Sequence, residues 1–497
     1  MPSIRKTRTA SNAIAVQVVT YTHDQVTVLK HVGSGRTSEE VSALVERARE
    51  WLEQMTGQTS LFPRQQPRIL PLATTEYLGS MYAFAYDTLR TVAHACGFEP
   101  AQDRVLLDLA IMRIIEPTSK LRAIALLQQY FGICHAERTV YRQLPHLKDR
   151  QADMETVAVT CALGRLKTDL ALVLYDVTTL YFETFTADEL RIPGFSKDNK
   201  SQQPQIVIGL LVTKEGFPLG YEVFPGNTFE GKTMIPVLES FTKKHGITTP
   251  AVVADAAMLS HSNILELTQR NVSYIVGARL GNCSLKDIKQ IATALHGVDG
   301  AMVRISTDHG DLIAAFSAKR FRKNNAEMKQ QIEKGKQLIA KKEPGKRAKF
   351  VQRADKKDAY RLNTALIVKT KLLLGVKGYY TNIPENQLSN QEVINRYHDL
   401  WHVEQAFRMT KSDLVARPIF HYKKDSVRAH MVICFVALII GKYIEIQSGM
   451  SLKKVRDLLW GVTDAMLYDK VTKKTITLRS PVNDELKKLL RKLSVPY

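Results

Sequence analysis

Three short apolar runs follow one another mid-chain: ALVLYDVTTLYFE at 171–183, QIVIGLLVT at 205–213 and PLGYEVF at 218–224. Each is bounded by turn residues, so three consecutive strands of one sheet are predicted. The pattern then changes. Helical spacing at 233–244 and 261–269 alternates with strand-like AVVAD at 251–255 and VSYIVGA at 272–278. The chain is therefore expected to be α/β, a mixed sheet flanked by helices.

Two of these strands carry an acid where burial would normally exclude one. Asp176 stands between ALVLY and VTT, and Asp255 closes AVVA. A carboxylate gains nothing from an apolar strand unless something cationic meets it. Asp is also common at strand ends as a turn former or helix cap, so neither acid argues alone. The third element is INRYHDLWHVEQAFRMTKSDL, 394–414, which has no Pro or Gly to break a helix. On an ideal helix Tyr397, Trp401, Glu404, Arg408 and Lys411 fall on one stripe. Glu404 and Arg408 alone would be an ordinary surface pair. Taken with Asp176 and Asp255, Glu404 completes a set of hard oxygen donors. Phosphodiester cleavage uses such a set to hold two Mg²⁺ ions about 3.5 to 4 Å apart. Mn²⁺ is expected to be able to substitute.

The formal charge of +21 and pI of about 9.6 favour a polyanionic partner. Residues 319–357 hold 15 Lys or Arg against 4 Asp or Glu, either a solvated helix and loop or a DNA-backbone surface. The five cysteines form no CxxC pair, which argues against a zinc or disulfide framework. No Walker A run, no GxGxxG after a strand and no GxSxG elbow is present, so nucleotide-cofactor and hydrolase chemistries are poor fits. MPSIRKTRTA leads into alternating residues rather than an apolar h-region, and MVICFVALIIG at 431–441 is too short to span a membrane. It reads as a buried core helix, and a cytoplasmic protein without a membrane partner is expected, nucleoid-associated when bound to DNA.

The organisation expected is a small β-hairpin and helix unit at 1–65, with a turn at His23 and Asp24 and a helix at 38–55. A mainly helical DNA-binding domain at 66–165 follows, joined through the proline-rich stretch 62–72. The catalytic core comprises 166–278 and 373–480, interrupted by a basic insertion at 279–372 and followed by a tail at 481–497. Within the helical domain, EPTSKLRAIALLQQYFG and AERTVYRQLPHL suit a helix-turn-helix that would expose Arg138, Tyr141 and Arg142 to DNA. The alternative is an ordinary bundle helix with solvated charges.

YDVTTLYFE around Asp176, VVADAAMLS around Asp255 and YHDLWHVEQAFRMTKSDLVARPIFH around Glu404 together resemble the DDE transposases of bacterial insertion sequences. These belong to the superfamily that includes RNase H and retroviral integrases. The resemblance runs from about residue 70 to 480. It implies an RNase H-like core, Asp176, Asp255 and Glu404 as catalytic metal ligands, and an insertion between the second Asp and the Glu. It also implies DNA contacts from Tyr397 and Lys411, part of a Tyr, Arg, Glu, Lys signature in which Leu400 occupies the Arg position. That departure puts hairpin chemistry in doubt. Ala257 stands where relatives often have Gly, and Arg417, Pro418, Ile419 and His421 also follow the family pattern. Trp401 suits stacking on an unpaired base and Arg408 a phosphate. The expected partners are double-stranded DNA, as terminal inverted repeats and target, and a second copy in a synaptic homodimer. A nuclease that never joins DNA and a non-enzymatic repressor are the rival readings.

Overall fold

The computed structural model describes residues 2–22, 25–56, 72–99, 104–195, 202–246, 250–258, 260–341, 348–353 and 360–496. The turn expected at His23 and Asp24 and the proline-rich connector up to residue 71 lie outside these residues. At the start of the chain β1 (Ser3–Arg8), β2 (Ile14–Thr22) and β3 (Gln25–Gly35) form an antiparallel sheet. Alternation in β2 turns Val16 and Val18 inward, and α1 (Ser38–Thr56) covers them with Val41, Leu44 and Ala48, one stripe of its surface.

Sequence spacing predicts helices throughout 75–165, yet the stretch opens with a strand, β4 (Thr75–Met81). Five helices follow: α2 (Ala83–Ala95), α3 (Arg104–Ile115), α4 (Lys120–Phe131), α5 (Glu137–Gln143) and α6 (Gln151–Gly164). Ser119 starts α4 by accepting the Arg122 N–H at 3.2 Å, and Gly132 ends it at φ 68°, where a side chain would be strained. The two helices expected of a helix-turn-helix are thus α4 and α5.

The main sheet has eight strands. β5 (Leu172–Tyr181), β6 (Gln205–Thr213) and β7 (Pro218–Pro225) form an antiparallel meander; α7 (Met234–His245) leads to β8 (Ala251–Ala254), and α8 (His261–Gln269) to β9 (Tyr274–Ala278). β8 lies parallel to both β5 and β9. Three antiparallel strands extended by two parallel ones is the order an RNase H-like core requires. Every residue of β6 is buried, as a run without polar alternation demands.

The stretch 279–372 is built into this sheet. After α9 (Leu285–Leu295), β10 (Met302–Thr307) and β11 (Gly310–Phe316) extend it through β14 (Val376–Thr381), giving the order β10-β11-β14-β9-β8-β5-β6-β7. Between β11 and β14 lie the basic α10 (Ala318–Ala340), the short hairpin β12 (Val351–Arg353) and β13 (Tyr360–Leu362), and α11 (Thr364–Leu372).

The segment expected to be one helix over 394–414 is two, α12 (Asn390–His398) and α13 (Trp401–Arg408), with a π-helical turn at Met409–Asp413. At the joint the N–H groups of Leu400, His402 and Val403 donate three residues back rather than four, which overwinds the chain. α14 (Lys424–Ser448) follows, then α15 (Leu452–Trp460), the hairpin β15 (Asp464–Asp469) and β16 (Lys474–Arg479), and α16 (Asp484–Lys492). α14 is long and apolar enough to cross a membrane, but 89% of its apolar window is buried inside the protein.

β15 pairs with β4, so the C-terminal hairpin belongs with the start of the helical stretch rather than with the main sheet. Asp464, 1% exposed, fixes the junction: it accepts from Arg479 Nε at 2.7 Å and Nη2 at 3.2 Å, and from the Phe84 N–H at the start of α2 at 3.3 Å. Asp464→Ala removes the charge-assisted bonds and leaves the Phe84 N–H without its acceptor. A loss of about 2 to 3 kcal/mol is expected from the urea midpoint; no change would show that the Asp464 bonds contribute nothing to stability.

Candidate active site

Asp176 and Asp255 meet because β5 and β8 are neighbours in register. Tyr175 pairs with Ala254 across the parallel ladder, so the next residue on each strand is one of the two acids. Asp176 is half-buried within β5; Asp255, where β8 ends, is exposed, and its Oδ1 accepts the Ala256 N–H at 2.6 Å. Ala257 keeps a negative φ, so alanine serves where relatives often have glycine.

The same Asp255 oxygen accepts the Tyr397 hydroxyl at 3.2 Å. Tyr397 is buried at the end of α12, its ring 4.8 Å from that of Tyr379 on β14. It reaches Asp255 by passing over Gly277 of β9, where an added Cβ would lie 2.5 Å from the tyrosine oxygen. Burial raises the Tyr397 pKa, and Asp255 and then Asp176 raise it further, so the phenol stays protonated as a donor.

Glu404 is exposed in the first turn of α13, which packs on β5 and β6. Its charge and that of Asp255 both act on the ammonium of Lys377 of β14. Burial lowers the Lys377 pKa, Arg320 lowers it further, and the two acids oppose the change.

The single stripe expected along 394–414 is corrected by the joint at Asp399 and Leu400. Overwinding there turns Tyr397 onto the sheet, while Trp401, Glu404 and Arg408 remain exposed. Lys411 is half-buried in the π-helical turn. Trp401 is 52% exposed, and one face of its ring lies against His402, with 3.9 Å between ring centroids. Leu400 is buried and offers no substitute for the absent Arg. Arg138, Tyr141 and Arg142 are exposed on α5, in the helical stretch rather than in this cluster. The described part of the basic run is chiefly α10, which exposes Lys319, Arg322, Lys323, Lys329, Lys334 and Lys336. The rest, 342–347 and 354–357, lies outside the described residues.

Lys377 and Arg320 were invisible to sequence reasoning. Lys377 sits in an ordinary strand and Arg320 in a run of basic residues; only the sheet order brings them to the acids.

The chain matches the family described as transposase DDE domain over residues 168–440, more than half its length. It belongs to the DDE transposases. Members of this family are DNA-cleaving and strand-transferring enzymes of transposition. Among solved structures, the chain is similar to the piggyBac transposase in its synaptic complex with hairpin DNA. The identity is 13%, covering 76% of this chain and 69% of that one, with a TM-score of 0.34. A second match is the Mos1 transposase paired-end complex with the left transposon end, at 11% identity, 46% and 66% coverage and a TM-score of 0.16. No curated protein matches the chain.

DDE transposases normally use a divalent metal. Among the described residues no three His, Cys, Asp or Glu side chains are grouped closely enough to hold a metal ion, so the structure pairs Asp176 with Asp255 but does not bring Glu404 up to them as the sequence predicts. Two carboxylates on adjacent strands nevertheless suit a cation such as Mg²⁺, which is held by one or two carboxylates, water and substrate phosphates rather than by an all-protein cage. The donor set therefore fits.

Proposed function

We propose that this DDE transposase serves a bacterial insertion sequence, binding its terminal inverted repeats and carrying out Mg²⁺-dependent cleavage and strand transfer. What supports the reading is the pairing of Asp176 and Asp255 on neighbouring parallel strands, with the Tyr397 hydroxyl fixing one of them.

In this reading Asp176, Asp255 and Glu404 hold two Mg²⁺ ions, or Mn²⁺ in their place. Bound there, the ions would activate a water or DNA 3′-hydroxyl and offset the charge gathering on the phosphate. Tyr397 keeps Asp255 from rotating away, as a partner behind a ligand does. Trp401 stacks on an unpaired base, and Arg408 and Lys411 take phosphates near the cut. Arg138 and Arg142 on α5, within a DNA-binding segment at 66–165, engage the repeat, and the exposed face of α10 takes the backbone beyond it. Two copies assemble the two ends, and the enzyme works in the cytoplasm, at the nucleoid.

The test is a labelled DNA fragment ending in the repeats that flank the gene, incubated with Mg²⁺ or EDTA and resolved on a denaturing gel. Mg²⁺-dependent nicks at the repeat boundary, followed by joining to target DNA, are expected. Binding without cleavage in every condition would replace this reading with that of a repressor.

A further inference from the structure

Two basic side chains outside the acidic set face it from the stretch of chain between Asp255 and Glu404. Lys377 extends from β14 over two aromatic rings, with Nζ 4.5 Å from the Tyr397 centroid and 5.4 Å from that of Tyr379. The hydroxyl of that same Tyr397 is on Asp255. A lysine stem is flexible enough to carry its ammonium into solvent, yet this one stays half-buried on the rings beside the acids. Among the described residues it makes no ion pair and no side-chain hydrogen bond.

Arg320, in the first turn of α10, adds like charge and, after burial, lowers the Lys377 pKa. The start of α10 is tied to the start of β14, where the Ser317 N–H donates to the Gly375 carbonyl at 2.9 Å and Phe316 pairs with Val376. Burial, then Lys377 and Arg320, lower the pKa of His398, the exposed last residue of α12. The Arg320 guanidinium also makes no ion pair among the described residues. Three basic groups from three elements thus lie near one edge of the acidic site, and among the described residues no acid is bonded to any of them. Lys377 and Arg320 repel one another, Asp255 and Glu404 offset this for Lys377 only and without a direct bond, and the arrangement is understandable if an anion enters between the two cations.

We propose that Lys377 and Arg320, with His398 at the rim, form a subsite for one backbone phosphate of the DNA strand presented to Asp176, Asp255 and Glu404. The guanidinium can take two non-bridging oxygens through its fork, and the ammonium acts as a point charge on the same group. The N-terminus of α10 adds partial positive charge behind Arg320. The subsite rests on the transposase reading for its ligand. It gives the insertion a direct share in aligning the reacting strand, through a strand and a helix remote in sequence from all three acids.

The experiment neutralises phosphates one at a time with methylphosphonates around the cut, in the wild type and in a Lys377→Met, Arg320→Gln double variant. The methionine keeps the apolar stem on Tyr397, so the fold is preserved; Lys377→Arg serves as the conservative control and should retain most activity. In the wild type, one neutral position is expected to slow cleavage at least about tenfold. That position should have no further effect in the double variant, which is itself slowed about 10- to 100-fold. The slope of log K against log salt for DNA binding should also fall by about 0.9 per cation removed. Losses that add at every position, with an unchanged salt slope, would overturn the subsite. A reduced salt slope in a protein that never cleaves DNA would keep the subsite and sink the transposase reading instead.

Discussion

Asp176→Asn is expected to slow Mg²⁺-dependent DNA cleavage by about 10³-fold or more while leaving binding of the DNA ends within about twofold of wild type. The amide has the shape of the carboxylate but neither its charge nor its affinity for a hard cation, so the metal site fails while the strand persists. Asp176 is flanked on β5 by Val177 and Tyr175, both buried, and its ladder to Leu210 on β6 is made by backbone groups that the substitution does not touch. Unfolding should therefore be little altered. Removing one of two adjacent acids even relieves repulsion in the absence of metal. Glu404→Gln should behave alike, since Glu404 is exposed and takes no part in the core. Single-turnover cleavage and an electrophoretic binding assay on the same preparations measure the two effects. Full activity in either variant would remove these residues from the chemistry.

The core that holds these acids was legible in the sequence for a physical reason. Strands buried on both faces must be nearly all apolar, so β5 to β9 announce themselves, and an acid inside one stands out. The helices between them, α7 and α8, are amphipathic and stop at Gly246 and at Arg270. What escaped was whatever depends on distant partners. β4 is TEYLGSM, largely exposed, and becomes a strand only because β15, nearly four hundred residues later, offers it an edge. β10 and β11 lie in a region without clear periodicity because their buried faces are set by β14, across the insertion. The joint at Asp399 and Leu400 carries no Pro or Gly, so the sequence there reads as continuous helix. Lys377 escaped for the same reason as β4: its significance lies in Tyr397 and Asp255, which no local pattern connects to it.

Stability is expected to rise with pH between about 7 and 10, and Lys120 is the cause. Lys120 begins α4, where the helix dipole disfavours a cation, and it is 6% exposed. Its Nζ lies 2.6 Å from His430 Nδ1 on α14, and His430 Nε2 donates to the Ala416 carbonyl at 3.1 Å, which leaves Nδ1 as the acceptor. Arg113 lies alongside, donating to the carbonyls of Leu414, Val415 and Thr118. His421 stands 5.6 Å from His430, ring to ring. No carboxylate is bonded to Lys120 or Arg113 among the described residues. Burial, then Arg113, brings the Lys120 pKa down from 10.5 to about 7. Between those two values the unfolded chain holds a proton that the folded chain has released, so raising the pH favours the fold. The destabilisation is complete below about 7 and absent above 10.5. At about 1.4 kcal/mol per unit it amounts to roughly 4 to 5 kcal/mol. His421, brought down to about 3 by burial and then by Lys120 and Arg113, adds a separate loss as the pH falls below 6.5. Urea midpoints at about pH 7, 8 and 9 should therefore climb in the wild type and stay nearly flat in Lys120→Met. Absolute stability at pH 7 is the weaker readout, because methionine leaves His430 Nδ1 buried without a donor, at a cost of about 1 to 3 kcal/mol. The slope is free of that cost, which is the same at each pH. An equally steep climb in Lys120→Met would assign the pH dependence to other groups. The loop that Arg113 and His430 hold, from Leu414 to Ala416, follows the π-helical turn Met409–Asp413 that ends the Glu404 helix, so the same titration should loosen that turn as the pH falls.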